Sequence, residues 1–369
     1  MRILVTGFTA NYGGVETFLM NYYRAMQKLD RSIVIDIIST AKEPAFKDEI
    51  QKMGGNVYRT SRARYKNRIR KELNKIMQEN NYDVFWCNKC DLADITYLKE
   101  SYKNNIPKRI LHSHSSSNMF TGIRRKIVNV LHKINKQVVE KYATEFWSCS
   151  DYAADWLFTK NIAQNRTTFI PNSIDAEKFQ YKEDIRNKYR QELKIEDKLV
   201  VGSVGAFLYA KNPEFTLEIF KEIHKNNSES VLLWVGSGEL KEITEQKVKE
   251  YNMEKNVIFL GRRLDVDRLM QAMDCLLLPS RFEGLPVVAI EAQSAGLHVF
   301  ASSEGISKQT KITDFFHFLS LQQSQKQWSE KILSTNLEHK DTYEQIKKAE
   351  FDINISAKSI LNKLSEGQV

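Results

Sequence analysis

No apolar run in the 369-residue chain approaches the roughly 18 residues a helix needs to cross a bilayer. The longest, VLLWV at 231–235 and CLLLP at 275–279, fall far short, so no transmembrane helix is expected. Near the N-terminus Gly7, the polar segment 9–11 and Glu16 interrupt any leader-like apolar core, which argues against a secretory signal. Cysteine is scarce. Four residues, Cys87, Cys90, Cys149 and Cys275, are too few for a disulfide framework and fit a reducing compartment. Cys87 and Cys90 form one Cys-x-x-Cys, but a structural zinc site needs a second ligand pair, so they read as two thiols at a strand end. Glycine is modest at 15 residues, apolar residues make up 42% and charged residues 27%, which excludes collagen-like and mostly disordered chains. Also missing are a phosphate loop of the Gly-x4-Gly-Lys-Ser/Thr kind, a 20–50-residue repeat and any recognisable nucleic-acid-binding module. GFTANYGG at 7–14 does not fit the dinucleotide fingerprint Gly-x-Gly-x-x-Gly.

What the chain does carry is positive charge. The net charge of +9 is concentrated in two first-half runs, 59–71 (RTSRARYKNRIRK) and 124–136 (RRKIVNVLHKINK). Solvated helix faces, an anionic membrane surface and a phosphorylated ligand all fit such runs, and without a binding module nucleic acid fits least.

Short β-branched runs alternate with longer segments of helical period, which implies parallel sheets covered on both faces. In the first half the expected strands are 2–7, 33–38, 55–58, 83–87, 108–113, 144–149 and 167–170. The helix from Gly14 to Met26 presents Phe18, Leu19, Tyr22, Tyr23 and Met26 as one stripe. The pattern restarts with strands at 199–204, 231–235, 256–260, 275–279 and 298–301, and helices near 213–225, 239–250, 265–272 and 286–295. Two doubly wound units are expected, 1–175 and 176–351, with a hinge between Pro171 and Phe179 and a helical tail over 342–364. The stretch 352–369 would complete the first unit. Ligands of such sheets sit at the C-terminal ends of the strands.

The sharpest signal is PSRFEGLPVVAIEAQSAG at 279–296. A strand ends at Pro279, a loop carries Glu283 and Gly284, and Pro286 suits the first position of a helix whose free N–H groups could seat a pyrophosphate. Glu291 follows Glu283 by eight residues, roughly 10–12 Å if counted at helical rise, so the two carboxylates could grip hydroxyls at opposite ends of a nucleotide-sugar. His112 and His114 end a strand, with His112 inside it and His114 just past it. A metal pair lacks a third ligand there, and an ordinary structural histidine remains open. Gly13 and Gly14 precede a helix and would permit positive φ or close approach of a phosphate, or simply a tight turn. Asp265-Val-Asp267 reads as a helix N-cap at Asp265 rather than a metal clamp.

These segments, with PNSID at 171–175, VGSGEL at 235–240 and LGRRLDVDRLMQAMD at 260–274, resemble the retaining family-4 glycosyltransferases (glycosyl transferases group 1) across nearly the whole chain. The style is that of bacterial capsular and exopolysaccharide enzymes. The resemblance implies an α/β chain of GT-B architecture, with two Rossmann-like domains facing across a cleft, the first for the acceptor and the second for the donor. It assigns Glu283 to the donor sugar, Glu291 to the ribose, and backbone around Gly284, Leu285 and Pro286 to the diphosphate. Lys211 falls at a phosphate-binding lysine and His114 at an active-site histidine. Gly13, Gly14, Gly205 and Arg263 would line the donor. One departure stands out, because Ala206 occupies the usual position of a second cation. Lys211 with helix dipoles, a base such as Arg263 or Arg281, or weaker donor binding would each accommodate it.

The activity so implied is metal-independent transfer of a hexosyl unit, without a cofactor, from a UDP-hexose or UDP-N-acetylhexosamine to a polyprenyl-diphosphate-linked glycan. The enzyme would be cytoplasmic and peripheral on the inner face of the plasma membrane, docked by its basic N-terminal half. A UDP-sugar 2-epimerase of the same architecture, a basic non-catalytic binding protein and a transferase that binds donor without turnover are the alternatives.

Overall fold

The structure is a computed structural model that describes residues 1–62, 65–118, 120 and 122–366. Positions 63 and 64 of the first basic run, and 367–369 of the C-terminal stretch, lie outside the described residues. The chain divides into two compact units, Met1–Ser173 together with the segment from Ile353 onward, and Ile174–Asp352.

In the first unit seven strands form one parallel sheet: β1 (Arg2–Thr6), β2 (Val34–Ser39), β3 (Val57–Arg59), β4 (Val84–Lys89), β5 (Lys108–Ser113), β6 (Glu145–Ser148) and β7 (Thr167–Phe169). Their order is β3-β2-β1-β4-β5-β6-β7. Side chains alternate across the sheet, as a period of two requires. Ile3, Val5 and Trp86 enter one apolar cluster, while Leu4, Phe85 and Cys87 enter the other. The helix Gly14–Leu29 closes the first face with Phe18, Leu19, Tyr22, Tyr23 and Met26. Ala357, Ile360 and Leu364 of the helix Ile353–Ser365 pack into the same cluster.

The second unit holds a six-stranded parallel sheet: β8 (Leu199–Val204), β9 (Ser230–Val235), β10 (Val257–Gly261), β11 (Cys275–Leu278), β12 (His298–Ser302) and β13 (Phe316–Leu319). The order is β10-β9-β8-β11-β12-β13. In each sheet the strand order reverses once, between β1 and β4 in the first and between β8 and β11 in the second. Such a switch point splays the following loops apart and leaves a crevice for ligands.

Several expectations need correction. The tail is not one helix: Tyr343–Lys348 and Ile353–Ser365 are separated by Glu350 at a left-handed φ of 62° and by a parallel bridge from Asp352 to Ile174. Strand β13 and the helix Gln325–Leu333, started by a Ser324/Gln327 capping box, are further elements. Pro286 is the cap residue before the helix Val287–Ser294 rather than its first residue. Asp265 does occupy a cap position, but its carboxylate accepts from Arg263 and Tyr189 and not from the helix backbone. Gly13 is extended at φ −92° and Gly14 starts a helix, so neither uses positive φ; Gly7, at φ 118°, is the glycine of that loop that does.

Candidate active site

In the second unit the segments leaving β8 and β11 meet. After β8 the chain passes Gly205 and the exposed Ala206, then makes a single 3-10 turn, Tyr209–Lys211. After β11 it runs through Ser280, Arg281 and Glu283 to the helix at Val287. The Arg281 N–H donates to the Ala210 carbonyl at 2.7 Å and pins one loop on the other. Lys211 Nζ lies 2.6 Å from Glu283 Oε1, which also accepts from the Ser280 hydroxyl at 2.7 Å. The pair is largely buried, with side-chain exposures of 26% and 12%. Backbone packing fixes this geometry: the Glu283 N–H donates to the Gly305 carbonyl at 2.8 Å, and a Cβ on Gly305 would sit 2.1 Å from the Ser280 carbonyl oxygen. Gly236, at φ 144°, similarly lets the β9 turn pass against the Gly205 carbonyl, where a Cβ would approach to 1.9 Å. The Lys211 stem lies over Gly205, in a depression also lined by Ser203, Phe207, Thr216 and Trp234.

Of the two bases considered beside Ala206, Arg281 donates to the Tyr209 carbonyl at 2.8 Å and lies over the Tyr209 ring, in the same turn as Lys211. The Arg263 guanidinium is held by Asp265 through contacts of 2.8 and 2.6 Å, and this ion pair drives the Asp265 carboxyl far below its ordinary range.

Glu291 is the fifth residue of the helix Val287–Ser294, whereas Glu283 lies in the preceding loop, so helical rise does not measure their separation. Burial pushes the Glu291 carboxyl up to about 7; Lys178 opposes that and Asp267 adds to it. Gly284 and the buried Leu285 lead into Pro286, which has no N–H to offer, so any amide seat at this helix start comes from its neighbours.

In the first unit, His114 follows β5. Its Nε2 lies 2.7 Å from Asn88 Oδ1, and the Asn88 amide donates to the Thr6 carbonyl at 2.8 Å. Asn88 thus presents its oxygen, so His114 carries its proton on Nε2 and keeps the Nδ1 lone pair. Desolvation pushes the His114 imidazole down to about 3, so it is neutral near pH 7. His112 is fully buried inside β5, accepts from the Trp86 indole at 3.2 Å and is likewise held neutral by burial. The sequence pattern gave no sign of Asn88; the β4–β5 register, which sets Asn88 beside His112, is what brings it to His114. Gly13 leaves room for the Glu16 carboxylate, whose Oε2 would lie 2.7 Å from a Cβ there, while nothing lies within 4 Å of the corresponding point on Gly14. Glu16 in turn accepts from the Thr9 N–H and hydroxyl and shapes the loop before the helix.

Among the described residues no group of three or more His, Cys, Asp or Glu side chains converges as metal ligands would, and no helix is long and apolar enough to cross a membrane.

The profile described as Glycosyl transferases group 1 matches residues 184–351, and that described as Glycosyltransferase Family 4 matches residues 12–178. The chain is a glycosyltransferase of the GT-B type. This glycosyltransferase is 28% identical over 337 residues to the putative glycosyltransferase EpsF of Bacillus subtilis, covering 90% of this chain and 86% of that one. It is 35% identical over 144 residues to an Escherichia coli UDP-Gal:alpha-D-GlcNAc-diphosphoundecaprenol alpha-1,3-galactosyltransferase, a match spanning 37% of each chain. Among solved structures, Anabaena HepE in complex with UDP superimposes with a TM-score of 0.78 at 18% identity, over 99% of this chain and 100% of that one.

Proposed function

We propose that this GT-B enzyme transfers a hexosyl unit from a UDP-sugar to a hydroxyl of a growing, lipid-linked surface polysaccharide, with retention of configuration and without a metal. The observation that carries the reading is the Lys211–Glu283 pair at the β8/β11 switch point, where one cation and one carboxylate stand side by side. A donor sugar needs a hydroxyl acceptor, which Glu283 supplies, and its diphosphate needs positive charge, which Lys211 supplies. Arg281, which reaches from the loop after β11 onto the Tyr209–Lys211 turn, answers the missing cation at Ala206. Gly205, Gly284, Leu285 and Pro286 give the anion close access to backbone, Glu291 takes the ribose hydroxyls, and Arg263 borders the donor.

In the reaction the bond from the sugar C1 to the β-phosphate oxygen breaks, and its electron pair leaves with UDP. The acceptor oxygen bonds C1 on the same face, and its proton passes to the departing phosphate oxygen. Lys211 and the positive end of the helix dipole at Val287 offset the charge growing on that phosphate. The first unit holds the acceptor, with Gly13 and Gly14 at its helix start. Its neutral His114, oriented by Asn88, is a hydrogen-bonding group rather than an acid. Support for the donor comes from relatives: HepE has been solved with UDP-glucose, and the E. coli transferase is named for UDP-Gal and a diphosphoundecaprenol acceptor. The Staphylococcus aureus relative is named for capsular polysaccharide biosynthesis. An acceptor of that kind supports a position at the inner face of the plasma membrane, with docking through the basic first unit.

Transfer from a panel of UDP-sugars to a polyprenyl-diphosphate glycan tests this. Glu283→Ala and Lys211→Ala should each lower turnover by about 10²–10³-fold. Unchanged turnover, or release of free epimer in place of transferred sugar, would overturn the assignment.

A further inference from the structure

The helix Gly122–Lys136 is built inside out. Its inward face is polar: His132 is buried, accepts the Leu92 N–H on Nδ1 at 3.1 Å, donates from Nε2 toward the Trp156 carbonyl at 2.9 Å, and stacks on the Trp156 ring. Asn135 donates to the Leu92 carbonyl, and Lys136 donates to the carbonyls of Asp155 and Trp156. Only Val128 adds a buried apolar side chain. The outward face is apolar: Ile123, Ile127, Val130 and Ile134 are 77%, 56%, 58% and 60% exposed, and Leu131 is 42% exposed. Spaced at i, i+4, i+7 and i+11, these four lie along one line of the helix surface, running about 16 Å. None of them belongs to either of the two core clusters described for the first unit. Arg124, Lys126 and Lys133 flank this line, and the helix contains no acidic residue.

Water is a poor solvent for such a stripe, so something covers it. A second copy packed on the same face would bring the basic flanks of both helices together, and like charges oppose that contact. A lipid surface has no such conflict, since acyl chains accept the stripe while anionic headgroups accept the flanking cations. We infer that the helix Gly122–Lys136 lies in the plane of an anionic bilayer, with Ile123, Ile127, Val130 and Ile134 inserted below the headgroups. This deepens the membrane docking proposed above and rests on it, replacing diffuse attraction by one inserted helix.

The test is partition of the full chain onto vesicles of phosphatidylcholine containing phosphatidylglycerol. The triple variant Ile123→Ser/Ile127→Ser/Ile134→Ser should bind at least about tenfold more weakly, and so should Arg124→Gln/Lys126→Gln/Lys133→Gln. In a third variant, Ile127→Trp, the tryptophan emission should move to the blue on vesicles and resist an aqueous quencher. Wild-type binding by the serine variant would overturn the inference. So would an unmoved Ile127→Trp emission on vesicle-bound protein, or a wild-type dimer that the serine changes make monomeric. UDP stabilisation without vesicles separates the two readings: the serine variant should retain it, and its absence in the wild-type protein would strike the donor assignment rather than the helix.

Discussion

Burial pushes the Glu291 carboxyl up to about 7. Ribose hydroxyls donate hydrogen bonds, so they favour the ionised form, and binding the nucleoside should take up the work of ionising this group. UDP affinity should therefore fall as pH drops below 7, approaching about tenfold per pH unit. The β-phosphate titrates near 6 and adds a slope of its own, about which Glu291→Gln serves as the control because it keeps only that slope. Calorimetric titration from pH 5.5 to 8 checks this, and identical slopes in both proteins would refute it. The same group affects stability with a definite sign. Its folded pKa of about 7 lies above its ordinary 4.5, so between those values the folded state holds more protons than the unfolded one. Stability from this group is thus intact below 4.5 and is lost as pH rises through 7, and Glu291→Gln should unfold at a higher denaturant concentration than wild type above pH 7.

Elements far apart in sequence complete each core. The helix Ile353–Ser365 places Ile360 and Leu364, both essentially inaccessible, against the helix Gly14–Leu29 and the first sheet. Ile360→Ala should cost about 2–5 kcal/mol in equilibrium denaturation, since it removes buried surface and leaves a cavity. Strands with β-branched runs, such as β1, β2 and β8, were legible because a doubly covered parallel strand is apolar on both faces. Strand β13 was not: Phe-His-Phe-Leu is four residues long, lacks β-branching and lies half-exposed at a sheet edge. The break in the tail was hidden too, because Glu350 adopts a left-handed φ that its residue type does not announce. Within the site, Glu283, Pro286 and Glu291 stand on one legible segment. The contacts of Glu283 with Lys211, 72 residues away, and of His114 with Asn88, 26 residues away, are set by strand order and register, which no local spacing encodes. The outward face of the helix Gly122–Lys136 escaped for a related reason. Periodicity reveals that a helix has an apolar stripe, but only the packing of His132 and Asn135 reveals that the stripe faces away from the core.

At the scale of the molecule, each unit has its own sheet and its own apolar clusters, and the proposed donor contacts from Lys211 to Glu291 all belong to the second. A ligand that binds only the folded form stabilises by mass action, about 2.7 kcal/mol at roughly 100 times its Kd. If the donor is held as proposed, that gain belongs first to the unit that must be folded to bind it. Native-state hydrogen exchange resolves this, because the slowest amides of a cooperative unit report its opening free energy. Saturating UDP should slow the amides of β8, β9 and β11 by a common factor, near 100-fold for that excess of ligand, and Lys211→Ala should abolish most of the effect. The slowest amides of β1 and β4 should respond far less, and Ile360→Ala should speed those while leaving the UDP-dependent slowing of β8 and β11 in place. Equal slowing of both sheets by UDP would mean that the two cores open as one cooperative body. Slowing confined to β1 and β4 would move the nucleotide to the first unit and remove Lys211 and Glu283 from the donor site.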